Sequence, residues 1–166
     1  FNIELDEDLP FIVENGAAIY NLDLINARFP EKISLSREIS EILDIFNNKI
    51  SKKYKSKCKF IKNLTSDKQL QIFGQSKEKV KLSMKREYSI PLLYDGSKAE
   101  KVDLIKSVNN AGLSLHEGGR LINLCDKISK SQAMKHVVKI FKKISKEELI
   151  TVCLLYTSPS PRDDLW

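Results

Sequence analysis

The sequence predicts an α/β chain in which short antiparallel strands alternate with amphipathic helices. Three observations carry that expectation. Runs of strand type meet at glycine turns, Asn15-Gly16 and Gly118-Gly119. Apolar residues recur at helical spacing across 35–50 and 133–144. Capping patterns, Ser97 with Glu100 and Ser129 with Gln132, stand in front of helical runs.

Pro10 to Tyr20 reads as a buried strand, an Asn-Gly turn and a second strand. Arg28-Phe29-Pro30 is a loop. Ser34 is expected to cap a helix carrying Leu35, Ile39, Ile42, Leu43, Phe46 and Ile50 over four turns. Lys57 to Lys62 suggests a short strand, Thr65-Ser66-Asp67 the start of a helix ending near Gly74, and Ser76 the cap of another running to about Lys85. Arg86 to Tyr94 reads as extended, with Pro91 marking an edge or a bulge because it brings no N–H, and Asp95-Gly96 as a turn. The helix opened at Ser97 carries Val102, Ile105 and Val108 and stops at Gly112. Leu113 and Leu115 share one face, as do Ile122 and Leu124, which predicts a hairpin turning at Gly118-Gly119. Ala133, Val137, Ile140, Phe141 and Ile144 form the stripe of the last helix, and Ile150-Thr151-Val152 begins a further strand.

Hydrophobic residues make up 42% of 166, enough for a core, and no run of 18 apolar residues or secretory pattern occurs, so a soluble, cytoplasmic protein is expected. Cys58, Cys125 and Cys153 are isolated and odd in number, which argues against a disulfide framework or a zinc site. The net charge is +6, and the lysines from Lys52 to Lys62, interleaved with Tyr54 and Phe60, offer the strongest case for a nucleic-acid surface. Lysine outnumbers arginine 23 to 5, however, so the run reads as a solvated basic face rather than a set of phosphate forks.

Residues 153–166 break the preceding pattern abruptly and resemble the translation of a sequencing adapter, so native sequence is expected to stop near Val152. The chain begins at Phe1 in what reads as mid-sequence. Lys130 sits in the first turn of its helix, where the positive end of the macrodipole repels a cation by about 0.3–1 kcal/mol. Two readings follow: the ammonium reaches water on its long stem, or it and the free amides hold an anion.

Four segments in this order resemble the mannosyl-3-phosphoglycerate phosphatase family of the haloacid dehalogenase-like superfamily: PFIVENGAAIY (10–20), MKREYSIP (84–91), GLSLHEGGRLINL (112–124) and SKSQA (129–133). The resemblance implies a Rossmann-like core with an α/β cap. On it, 1–18 ends the first part of the core, 19–126 is a cap of mixed or antiparallel sheet with helices on one face, and 127–152 starts the second part of the core. It also implies a Mg²⁺-dependent phosphatase that makes a compatible solute such as mannosylglycerate. An aspartate attacks phosphorus and water hydrolyses the aspartyl-phosphate.

Lys130 matches the lysine that holds nucleophile and phosphoryl group. Arg120, following Gly118-Gly119, is placed to take a phosphoglycerate carboxylate or else to pair with Glu117, and Asn15 and Gly16 either contact substrate or simply make the turn. Arg86 and Glu87 are expected to pair or face solvent, Ile90 stands where the family carries an acid, and His116 and His136 read as surface residues. Residues 124–128 lack the glycine often found before the lysine. No metal ligand is assigned here: the Asp-x-Asp-x-Thr and Gly-Asp-x-x-Asn-Asp motifs do not occur in residues 1–166, so the parent is expected to be active and this piece inactive. Related caps act on glucosyl-3-phosphoglycerate, sucrose phosphate or trehalose phosphate. A basic RNA-binding module is the reading from a different class.

Overall fold

In a computed structural model, described for residues 9–24, 26–118 and 121–144, the chain is mixed α/β with two antiparallel sheets. The first sheet has the order β1 (Phe11–Val13), β2 (Ala18–Tyr20), β3 (Lys32–Ser34). The second has the order β4 (Cys58–Phe60), β5 (Ser89–Tyr94), β7 (Leu121–Asp126), β6 (Leu113–Gly118). Helices α1 (Ile39–Lys49), α2 (Lys52–Lys55), α3 (Ser66–Phe73), α4 (Lys77–Ser83) and α5 (Lys98–Asn110) lie between the strands, and α6 (Lys130–Ile144) follows them. The chain divides after Met134 into two units, and of the second the described part is the remainder of α6. The expected strand at 150–152 lies outside the described residues.

Register decides which face of the second sheet is core. Leu115 pairs with Leu124, Leu124 with Ile90, and Ile122 with Leu92, so these side chains share one face. Ile42, Phe46 and Ile50 of the α1 segment and Leu104 and Val108 of α5 bury themselves on that face. Each fully buried side chain of this kind contributes roughly 1.5–3 kcal/mol, and Phe46 adds an edge-on contact with Phe60 at 5.8 Å. Ile90 is one of these core residues, 2% exposed.

Some expectations shift. Ser34 does not cap α1; it ends β3 opposite Ala18, and its hydroxyl lies 2.6 Å from the Tyr88 hydroxyl. Pairing with β2 outcompetes helix there, and α1 starts instead at Ile39, whose amide donates to the Glu87 carbonyl. On α5 the buried stripe is Leu104 and Val108, whereas Val102 is 50% exposed. Pro91 lies inside an interior strand, opposite Asn123. It is tolerated because the β4 ladder ends at Phe60 and Leu92, one residue short of it. The capping box at Ser97 and Glu100 forms in full, and Gly74 ends α3 at φ 61°.

The segment that leaves the first sheet is stapled to the end of β7. Arg37, between β3 and α1, donates from its backbone N (3.0 Å) and Nε (2.9 Å) to Asp126 at the end of β7, and from Nη2 to the Gly112 carbonyl (2.7 Å). The guanidinium holds the Asp126 carboxyl below its ordinary value of 3.8, outweighing burial, which pushes it up. A carboxylate whose folded value is depressed stabilises the fold above its unfolded value and loses that contribution as pH falls through the folded value. Urea midpoints are therefore expected to drop as pH falls below 3.8, and Arg37→Met to flatten that drop while costing about 2 kcal/mol at pH 7. Equal pH slopes in the two proteins would contradict the staple. Glu100, pulled down to about 2 chiefly by Lys57, and Glu87, held below its ordinary value chiefly by Lys32, keep an acid dependence in the variant.

Candidate functional site

The loop between β1 and β2 is where several segments converge. Val13 pairs with Ala18, which leaves a loop of Glu14, Asn15, Gly16 and Ala17, longer than a two-residue Asn-Gly hairpin. Glu14, Asn15 and Gly16 stand at φ 45°, 62° and 107°. Glycine adopts such angles freely and asparagine tolerates them, but a glutamate there is strained by about 1–3 kcal/mol unless its surroundings hold it. They do. The Glu14 carboxylate accepts from the amides of Glu87 (2.9 Å) and Tyr88 (3.2 Å) and from the Ser89 hydroxyl (2.6 Å). Ala17 carbonyl accepts from the amides of Leu35 (2.8 Å) and Ser36 (3.1 Å), tying in the segment that leaves β3.

The loop also meets the start of α6. A Cβ placed on Gly16 would press against the Ser129 carbonyl, with its carbon at 2.6 Å and the Lys130 nitrogen at 2.9 Å, so only glycine fits so close to that backbone. Ile128 packs on Ala17, Ala18 and Tyr88 beside this contact. The helix start itself is capped by Ser129, whose hydroxyl accepts from the Gln132 amide at 3.2 Å. Among the described residues no acceptor meets the amides of Lys130 and Ser131, and Lys130, which is exposed, joins no ion pair. Residues 124–128 manage without a glycine because Asp126 organises the turn. Its carboxylate accepts from the Lys127 amide (2.7 Å) and its carbonyl from that of Ile128 (2.9 Å).

Of the residues singled out from the sequence, Gly16 and the backbone of Lys130 are brought together, with exposed Asn15 on the same loop. Gly118 ends β6 opposite Leu121; Gly119 and Arg120, between them, lie outside the described residues. Glu117 lies 3.0 Å from Lys101. Arg86 and Glu87 do not pair with each other. Arg86 donates to the Ser83 carbonyl and the Ser89 hydroxyl, and Glu87 takes Lys32 and the Tyr20 hydroxyl. His136 is exposed on α6.

Register reveals a polar pair that sequence reading did not join. His116 faces Asn123 on the sheet surface away from the helical core, and His116 Nε2 and Asn123 Oδ1 are buried without a hydrogen-bond partner among the described residues. The alternation of His116 with Leu115 held the signal for the histidine's face. Asn123 needed the hairpin register.

The basic run divides between elements. Lys52, Lys53 and Lys55 belong to α2, while Lys57 pairs with Glu100 and Lys59 with Asp95. Burial lifts the Cys58 thiol to about 11 and chiefly burial lifts the Cys125 thiol to about 12, so neither is a ready nucleophile or ligand. The carboxylates nearest the crossing are committed, Glu14 to 87–89 and Asp126 to Arg37, and no group of three His, Cys, Asp or Glu among the described residues is placed to hold a metal ion. The donor set here does not fit Mg²⁺.

Amides without an acceptor among the described residues and an exposed lysine at a helix start are groups that an oxyanion can meet. No protein-family profile matches the chain. It is similar to a glucosyl-3-phosphoglycerate/mannosyl-3-phosphoglycerate phosphatase of Persephonella marina (strain DSM 14350 / EX-H1), 29% identical over 170 residues that take in 98% of this chain. The chain spans 61% of that relative's length. Among the described residues no helix is long and apolar enough to cross a membrane.

Proposed function

We propose that this chain is part of a phosphatase of the haloacid dehalogenase-like type that hydrolyses a glycosyl-3-phosphoglycerate, with mannosyl- or glucosyl-3-phosphoglycerate as substrate. The observation that carries it is the seating of Gly16 against the Ser129–Lys130 backbone, which sets the lysine beside the β1–β2 loop. The similarity to a phosphatase of that specificity supports the same reading.

On this reading Lys130 balances charge on the transferred phosphoryl group and on the attacking carboxylate. Bond formation from that carboxylate to phosphorus expels the glycerate oxygen, which takes a proton. Water then attacks the aspartyl-phosphate, releasing phosphate and restoring the carboxylate. Arg120 takes the glycerate carboxylate bidentately, and Asn15, Gly118 and Gly119 line the substrate's approach. The nucleophile and the Mg²⁺ ligands come from sequence that the resemblance places outside residues 1–152. The product would serve as a compatible solute in the cytoplasm.

Phosphate release from mannosyl- and glucosyl-3-phosphoglycerate tests this. A gene extended in both directions is expected to encode a Mg²⁺-dependent enzyme that turns over at least one of them, and residues 1–166 alone are expected to release none. An extended protein inactive on both, or hydrolysing sucrose or trehalose phosphate faster, would overturn the substrate assignment.

A further inference from the structure

Away from the crossing, α3 and α4 lie side by side and leave between them a cavity of about 410 Å³, within the range of small-molecule sites. Its apolar lining comes from Leu70, Val80 and Met84, with Val80 only 4% exposed. Three lysines line it, Lys62, Lys77 and Lys81, and no Asp or Glu does. None of the three joins an ion pair among the described residues, although five other cations do. Lys77 and Lys81 stand four apart on one helix face, an arrangement that costs a few tenths of a kcal/mol through like-charge repulsion. Ser76 caps α4, its hydroxyl accepting from the Lys79 amide at 3.4 Å. Gln69, another wall residue, is held by its amide donating to the Ile61 (2.9 Å) and Leu64 (3.2 Å) carbonyls, which ties α3 to the preceding turn.

We infer that this cavity binds a small organic anion with a short apolar body, its phosphate or carboxylate head among Lys62, Lys77 and Lys81 and its body on Leu70, Val80 and Met84. The cations match the head in charge, and the side chains beneath match the body in polarity. The inference is independent of the proposed hydrolysis and is tested on residues 1–166 without an assay of turnover.

Hexyl phosphate titrated calorimetrically into the chain is expected to bind saturably, and inorganic phosphate and hexanol each about tenfold or more weaker. K77E/K81E is expected to weaken hexyl phosphate by about tenfold or more, and K77R/K81R, which keeps the charge, to retain binding. Circular dichroism of the folded variants keeps loss of binding distinct from loss of fold. Equal affinity in K77E/K81E, no saturable binding by the wild-type chain, or inorganic phosphate binding as tightly as its hexyl ester would overturn it. A loss caused instead by Lys130→Ala would assign the anion to the crossing and would overturn it as well.

Discussion

Replacing Gly16 by alanine is expected to lower the stability of the chain by about 3 kcal/mol or more, read as a fall in the urea midpoint with an unchanged slope. Two effects add. At φ 107° an alanine is strained on its own backbone, and its Cβ meets main-chain atoms of Ser129 and Lys130, which cannot swing aside as a side chain can. Those atoms belong to the capped start of α6, and the loop is tied by three hydrogen bonds through Glu14, so relief requires moving one anchored segment off another. Gly96 is the comparison: the nearest atoms to a Cβ there belong to the side chain of Tyr94 rather than to backbone, so Gly96→Ala is expected to cost less. A loss below about 1 kcal/mol for Gly16→Ala would show that the close approach is slack.

Replacing Lys130 by alanine is expected to act in opposite directions on stability and on activity. In residues 1–166 the lysine is exposed, carries no ion pair among the described residues and sits at the positive end of α6. Removing it leaves stability unchanged or raises it by about 0.3–1 kcal/mol. In the extended protein the same change is expected to lower kcat by about 10²–10³-fold, the usual cost of losing one charge-stabilising group, with KM moving less. A surface lysine with no function would give the same stability result but leave kcat near wild type, so kcat separates the roles.

The contrast between Gly16 and Ser34 shows what was legible in the chain. Local signals read correctly wherever local chemistry decides, as at the capping box of Ser97, the left-handed end of α3 at Gly74 and the Ser129 cap of α6. They misled at Ser34, where pairing with β2 overrode a helix cap, and at Val102, where tertiary packing chose Leu104. Asn15-Gly16 announced a turn, but its fit against Ser129 joins residues more than a hundred positions apart, which no spacing rule reaches. Glu14 and the Arg37–Asp126 staple were invisible for the same reason. Each is an ordinary charged residue in the sequence, and its role exists only once the strands are in register. His116 and Asn123 are opposed by the hairpin, and only its register makes them a pair.

A crystal structure of the extended protein grown with orthovanadate tests the central claim most directly. The account predicts vanadate at the start of α6 with an oxygen about 3 Å from Lys130 Nζ, beside Gly16. Vanadate bound elsewhere, with the Lys130 side chain turned to solvent, would contradict it.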